Sequence, residues 1–228
     1  KNQMKTRKRE TRITAAPAIT GKRGWVFCLL GALLLTMMST PAKAQCTAQN
    51  TAFQSGEHVM YDLYFNWKFI WKKVGLASLT TFSTTYQSQP AYRFNLLSVG
   101  SKKTDFFFKM RDTLTCYVSE KLEPLYFRKA AEEGDRYTVD EAWFSYKDGV
   151  SNVKQRRIWH NPVRDPQEME YSDSRCIFDM LSILAQARSY DPADYKIGDR
   201  ILFPMATGRK VEELSLIHIS EPTRPRLI

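Results

Sequence analysis

Apolar and polar residues alternate with a period of two through most of the chain from Phe53 onward. The run HVMYDLYFN places four apolar side chains on one face: Val59, Tyr61, Leu63 and Phe65. TLTCYVS does the same with Leu114, Cys116 and Val118. This alternation is typical of strands with one buried face. Successive short strands joined by tight turns predict an antiparallel meander.

Several further runs have strand character. AYRFNLL, GLASLTTFSTT, PLYFRKA and RYTVDEAWFSY are predicted strands, and EEGD joins the last two. Before VSNVKQRRIW the chain contains Asp148-Gly149, a pair that tolerates the positive φ of a tight hairpin turn.

One segment, SDSRCIFDMLSILAQARSYDP, has helical spacing instead. Four apolar residues recur at i, i+3, i+4 and i+7: Ile177, Met180, Leu181 and Leu184. Asp173 or Ser174 is the predicted N-cap, Arg188 suits the last turn, and Pro192 follows the end. We expect this face to pack on the sheet. The predicted fold is mainly β: a curved, half-barrel-like antiparallel sheet packed by one amphipathic helix.

The formal net charge of +10 would suggest an anionic polymer as partner. Most of the excess lies at the ends, because residues 1–44 hold nine Lys and Arg but only one acid, Glu10. Residues 45–213 hold 23 basic and 22 acidic residues. The run KQRRIWH mixes basic and aromatic residues and is a weak signal of nucleic-acid binding. Because residues 45–213 are nearly neutral overall, we expect no nucleic-acid partner.

The first 44 residues have the pattern of a secretory signal peptide. A basic segment, starting at Met4, precedes the apolar run Trp25–Met38. Ala42 and Ala44 provide the small residues for cleavage before Gln45. Fourteen residues fall short of the roughly 20 that span a bilayer. We therefore expect an exported chain, periplasmic or associated with the outer membrane, with no transmembrane span after cleavage.

The segment after the predicted cleavage point contains Cys46, Cys116 and Cys176. An odd number of cysteines in an oxidising compartment leaves one thiol free or one partner missing. The sequence leaves the pairing open, and no C-x-x-C motif suggests zinc or redox chemistry.

No catalytic, phosphate-loop or calcium-loop motif is present, so no cofactor is predicted. His58 and His160 fall at strand ends among charged residues, where a solvated histidine is the ordinary outcome. An acidic group spans Glu132 to Glu141 and includes Asp140. A solvated hairpin accounts for it better than a cation site, because the ligand spacing is absent.

Aromatic residues are concentrated in two places. Candidate ligand-facing side chains in the first are Tyr61, Tyr64, Trp67 and Trp71, and the second is the run Phe106–Phe108. Core packing is the simpler explanation for the first group. The alternative is an apolar or sugar-stacking cleft on a curved sheet.

Four segments together resemble an exported bacterial family catalogued as domain of unknown function 3108: the opening strand GEHVMYDLYF, LEPLYF, FDMLSIL and GDRILF. The resemblance covers most of Phe53 to Glu213. It implies a Gram-negative envelope protein with a carrier-like curved sheet. It implies no activity and carries over no catalytic residue.

The final segment departs from that family's pattern. LSLIHISEPTR, from Leu214 to Arg224, is similar to the translation of a transposon-derived sequencing adapter. We therefore predict a signal peptide over 1–44, one incomplete β-rich domain over 45–213, truncated at its C-terminal side, and a non-native tail over 214–228. We also expect a complete chain to carry a further cysteine.

Three functions remain open from the sequence. The first is a non-catalytic binding or carrier domain that holds an unknown apolar or glycan ligand against the sheet. The second is an envelope scaffold that contacts another protein. The third is a hydrolase in which His58 or His160 acts with a carboxylate.

Overall fold

A computed structural model describes residues 46–67 and 70–217, with backbone only for Trp67, Ile70, Trp71 and Ile217. The predicted start at Met4 and the cleavage residues Ala42, Ala44 and Gln45 lie outside the described residues. In the described part, no helix combines the length and apolar character needed to cross a membrane.

Eight consecutive strands form one antiparallel sheet in chain order. They are β1 His58–Trp67, β2 Ile70–Tyr86, β3 Gln89–Gly100, β4 Met110–Ser119, β5 Pro124–Glu133, β6 Arg136–Lys147, β7 Val150–Asn161 and β8 Val163–Asp173. The sheet is not closed into a barrel. The predicted mainly-β meander is therefore confirmed.

A short helix, α1 (Lys102–Asp105), connects β3 to β4. After β8 the chain forms helix α2 (Met180–Arg188), a single 3₁₀ turn (Pro192–Asp194), and the hairpin of β9 (Arg200–Ala206) and β10 (Val211–Ile217).

The face of the sheet that α2 covers, here called the inner face, carries the main core. Cross-strand register places Phe94 opposite Cys116, Cys116 opposite Phe127, and Phe127 opposite Ala142. All four side chains are buried. The alternation of TLTCYVS predicted this face correctly, because Leu114, Cys116 and Val118 are buried.

The predicted packing face of the helix requires correction. The helix begins at Met180, with Asp179 as its N-cap rather than Asp173 or Ser174. Met180 and Leu184 are 46% and 41% exposed. The buried helical face instead contains Leu181, Ser182, Ile183, Ala185 and Gln186. Ile177 is buried, but it lies in the segment before the helix.

The N-cap of α2 links the helix to the centre of the sheet. The Asp179 carboxylate accepts hydrogen bonds from the backbone N–H groups of Leu181 and Ser182, at 2.9 and 3.0 Å. The Cys116 thiol on β4 lies 3.5 Å from the same carboxylate and donates to it. Burial raises the pKa values of both Asp179 and Cys116.

Cys46 and Cys176 form a disulfide with 5.0 Å between their Cα atoms, across 130 residues of chain. Cys116 is a free, buried thiol. The structure thus resolves the pairing that the sequence left open, and it places the odd cysteine inside the core.

The strand predicted over HVMYDLYFN is confirmed as β1, but its apolar face is only partly covered. Tyr61 and Phe65 are 44% and 57% exposed, while Val59 and Leu63 are half-buried. A register shift between Leu63 and Tyr64 leaves Val74 as the extra residue on β2. A β-bulge of this kind has no clear signature in the hydrophobic alternation.

Strand β8 was not predicted from the sequence. Its residues VRDPQEMEYSD are mostly charged or polar and exposed, so they show little hydrophobic alternation. It pairs with β7 along one edge of the sheet, and charged edge strands of this type resist unwanted pairing.

Leu214 to Ile217 extend β10 and pair with β9 from Phe203 to Arg200. Backbone pairing depends little on which side chains a strand carries. The adapter interpretation of the tail therefore stays a prediction, and residues 218–228 lie outside the described part.

Substitutions of Asp179 test the role of this buried carboxylate. Asp179→Ala should lower the free energy of unfolding by about 1–2 kcal/mol, because it removes the cap. Asp179→Asn retains an acceptor oxygen and should be at least as stable as the wild type at neutral pH.

The contribution of Asp179 to the free energy of unfolding depends on pH, and the direction of its pKa shift sets the direction of that dependence. Because burial raises the folded-state pKa of Asp179, its contribution to stability decreases as pH rises from the unfolded pKa, about 4, to the folded value. Urea unfolding over this range should show that decrease in the wild type and lose it in Asp179→Asn. Equal destabilisation by Asn and Ala at neutral pH would contradict this account.

Candidate functional site

The inner face changes character along the strands. Towards the β6–β7 turn it is apolar, with Phe127, Phe144 and Val153 in the core. Towards the β5–β6 turn the same face carries charged residues, because Lys129 pairs with Asp140 and Asp140 with Arg157 across the strands. One continuous face therefore contains an apolar half and a charged half.

An open pocket of about 250 Å³ lies over the charged half. Five cationic and two acidic side chains line it: Lys129, Arg136, Arg157, Arg164, Arg209, Glu133 and Asp140. Trp159 also lines it. With all seven groups ionised, the net charge of the lining is +3. We refer to this pocket as the cationic pocket.

The base of the cationic pocket is a two-point ion pair between Arg157 and Asp140. The Arg157 Nε and Nη2 atoms donate to the two carboxylate oxygens of Asp140. Asp140 is 5% exposed. A buried charge without a partner costs several kcal/mol, so this pair holds both side chains in one orientation.

Sequence reasoning missed this role of Asp140. The acidic group Glu132 to Glu141 was expected to be a solvated hairpin, but Asp140 is buried. The alternation of β6 contained the signal, since Asp140 falls on the same face as the buried Ala142 and Phe144. Arg157, on β7, follows the same alternation two positions from the buried Gln155.

The loop of the β9–β10 hairpin borders the pocket. Gln155 is fully buried; its Nε2 donates to the Lys210 carbonyl at 3.3 Å, and its Oε1 accepts from the Gly208 N–H at 2.7 Å. Gly208 has φ +87°, and a Cβ there would overlap the Asp140 carboxylate. The hairpin thus contacts both the core and the ion pair.

Pairing within the pocket leaves three arginines available. Lys129 lies 3.3 Å from Glu133, and Arg157 is paired with Asp140. Among the residues that the structure describes, Arg136, Arg164 and Arg209 have no ion-pair partner, and all three are exposed. Guanidinium groups bind carboxylate, phosphate and sulfate through two parallel hydrogen bonds.

Asp112 on β4 shares the inner face next to Ala131. Its Oδ1 is buried without a hydrogen-bond partner. Burial is the largest influence on Asp112 and raises its pKa, while nearby Lys129 acts in the opposite direction. The charged half therefore contains a carboxyl group that is poorly solvated as an anion.

The predicted ligand-facing aromatics do not form a cluster among the described side chains. Tyr61 and Tyr64 on β1 are exposed, at 44% and 54%. The side chains of Trp67 and Trp71 lie outside the described part. The larger cavity, about 760 Å³, is lined by the loop Asn50–Glu57 and is not a deep apolar cleft.

A different set of aromatics lies on the outer face. Tyr117 pairs with Tyr126, and Tyr126 pairs with Trp143 across the strands. Tyr86 lies 5.0 Å from Tyr117 between ring centroids. The Tyr126 hydroxyl donates to Glu141 Oε1 at 2.7 Å, and burial raises its pKa. These rings come from four strands, β2, β4, β5 and β6, and pack against one another.

His58 and His160 occupy different settings. His58 Nε2 lies 2.8 Å from the Ser78 hydroxyl on the exposed part of β1 and β2. His160 stacks on Tyr137 with 4.9 Å between ring centroids. Within residues 46–67 and 70–217, neither has a carboxylate partner, and no cluster of potential metal ligands is found. The hydrolase function remains a hypothesis.

Comparison with known proteins identifies one family. A family model described as "Protein of unknown function (DUF3108)" matches residues 60–222. The match includes nearly the whole sheet, α2 and the hairpin that borders the cationic pocket. No curated protein and no solved structure matches the chain significantly.

Gly208→Ala tests whether the hairpin loop supports the ion pair. It should lower the free energy of unfolding by about 1–3 kcal/mol, since it combines positive φ with a contact on Asp140. Gly198→Ala is the matched control, because Gly198 has φ +92° but open space around it. Urea unfolding should show the larger loss for Gly208→Ala. Equal losses would mean that contact with Asp140 contributes nothing.

Proposed function

Because the chain belongs to the DUF3108 family of proteins of unknown function, we propose its role from its own structure. It is a non-catalytic binding domain of the bacterial cell envelope, and its ligand carries an anionic group such as a phosphate, sulfate or carboxylate. An acidic glycan belongs to this class. The ligand binds in the cationic pocket on the inner face of the sheet.

One observation carries the proposal: three exposed arginines without ion-pair partners among the described residues line one pocket, namely Arg136, Arg164 and Arg209. They come from the start of β6, the start of β8 and the β9–β10 loop. Like charges repel, so placing them around one cavity has a cost that an anionic ligand would relieve. Each guanidinium can donate two parallel hydrogen bonds to such a ligand.

The base of the pocket favours binding over catalysis. Arg157 and Asp140 neutralise one another through two hydrogen bonds, so neither is free to act as a general acid or base. Trp159 adds a flat apolar surface, and the Arg157 guanidinium lies 5.9 Å from its ring centroid. A ring next to cationic groups suits a ligand with one apolar face and one charged group, as many sugar acids have.

Export to the envelope is supported by two independent features. The leading segment has the charge and hydrophobic pattern of a signal peptide. The disulfide between Cys46 and Cys176 joins the start of the described residues to the segment between β8 and α2. Disulfides of this kind persist in oxidising compartments such as the periplasm.

Calorimetric titration of the full chain with inorganic phosphate tests the pocket. The wild type should bind with saturation, and the variant R136Q/R164Q/R209Q should bind at least tenfold more weakly. Its unfolding curve should stay close to that of the wild type, because all three side chains are exposed.

The matched control is K121Q/K147Q/K196Q, which removes the same charge outside the pocket. It should bind phosphate like the wild type. Equal weakening in both triple variants would show a nonspecific effect of net charge. Unchanged binding in R136Q/R164Q/R209Q would reject the cationic pocket and favour the scaffold alternative.

A further inference from the structure

Three consecutive phenylalanines are exposed in the connection from α1 to β4. Phe106 and Phe107 are 85% and 82% exposed, and Phe108 is 46% exposed. The first two rings contact each other at 5.1 Å between centroids. Keeping a phenylalanine in water forgoes about 1.5–3 kcal/mol of burial free energy. Adjacent exposed rings of this kind mark an interaction surface.

This connection belongs to one end of the sheet, where three connections lie side by side. The Gly134 N–H of the β5–β6 turn donates to the Lys109 carbonyl at 2.8 Å. The Asn161 side chain at the β7–β8 turn donates to the Asp135 carbonyl at 2.6 Å. Val163, at that last turn, is 85% exposed. We refer to Phe106, Phe107, Phe108 and Val163 as the aromatic tip.

The aromatic tip is held by a defined local structure. Ser101 caps α1, and the Thr104 hydroxyl donates to the Val74 carbonyl at 3.1 Å. Arg111 donates two hydrogen bonds to Asp105, and these lower the pKa of that carboxyl. The phenylalanines are therefore displayed by a fixed scaffold, which reduces the entropic cost of inserting them elsewhere.

Basic side chains lie on α1, which leads into the phenylalanines, and on β2, which contacts α1. Lys72, Lys102 and Lys103 are exposed and, within the described residues, have no ion-pair partner. Lys102 and Lys103 lie in α1, directly before the phenylalanines, and Lys72 lies near the start of β2, which contacts α1. The tip therefore presents an apolar centre next to unneutralised positive charge.

We propose that the aromatic tip inserts into the surface of an anionic lipid bilayer. Aromatic side chains favour the boundary between headgroups and acyl chains. Lysines beside them gain about 1 kcal/mol each near an anionic surface. A protein partner would match the phenylalanines equally well, but the three lysines favour an extended negative surface over a single complementary carboxylate.

Exposed apolar side chains continue from the tip along the outer face of β2 and β3. Leu76 and Val99 pair with each other, and Leu97 follows on the same face. All three are exposed. They widen the apolar surface on the side of the sheet that α2 leaves uncovered, next to the strand end that leads into α1.

Vesicle flotation of the full chain tests the proposal. The wild type should associate with vesicles of equal parts phosphatidylcholine and phosphatidylglycerol, and far less with phosphatidylcholine alone. F106S/F107S/F108S should bind at least tenfold more weakly. K102Q/K103Q should lose most of the preference for the anionic vesicles, while K121Q/K147Q, at the opposite end of the sheet, should keep it.

All of these variants carry the same residues 1–45, so differences between them report on the tip alone. Equal binding by wild type and F106S/F107S/F108S would overturn the proposal. A different outcome would identify a protein partner instead. In that case the wild type does not bind vesicles, and F106S/F107S/F108S loses self-association or a protein contact that the wild type makes. None of these substitutions changes the arginines of the cationic pocket. The result of the phosphate titration is therefore independent of the result of the vesicle experiment.

Discussion

An open sheet of eight strands has two large faces, and in the described part of the chain one helix of nine residues and one hairpin pack against the inner face. The helix packs over Cys116 and its neighbours, where the strands carry apolar side chains on the inner face. Farther along the same strands the inner-face residues are charged. Burying unpaired charge is costly, so these side chains must form pairs or stay in contact with water. The candidate site lies in this charged half of the inner face, where the side chains are paired with one another or exposed to water.

The boundary between the two halves depends on few residues. Gln155 is buried and bonded to the hairpin loop on both its amide atoms. Asp140 and Arg157 lie one row farther and neutralise each other. The hairpin therefore completes the core and also brings Arg209 to the pocket. Stability and the candidate binding site are coupled through the loop around Gly208.

Local patterns predicted the sheet well, because alternation and turn residues report directly on strands with one buried face. They predicted the helix but not its buried face, since Ile177 precedes the helix and Met180 faces water. The cationic pocket could not be predicted, because Arg136, Arg157 and Arg209 are distant in sequence and only strand register and the hairpin bring them together. The exposure of Phe106 and Phe107 likewise depends on tertiary structure, since three adjacent aromatics are equally compatible with a core.

The central claim is that the charged half of the inner face binds an anion. Nuclear magnetic resonance of the tryptophan indole N–H groups during titration with inorganic phosphate tests it most directly, with Trp159→Phe to assign the pocket signal. Trp159 lines the pocket, whereas Trp143 lies on the outer face. We predict a saturable shift of the Trp159 signal with phosphate, absent with chloride, and an unchanged Trp143 signal. No shift of the Trp159 indole signal with phosphate, or equal shifts of the Trp159 and Trp143 signals, would contradict the claim.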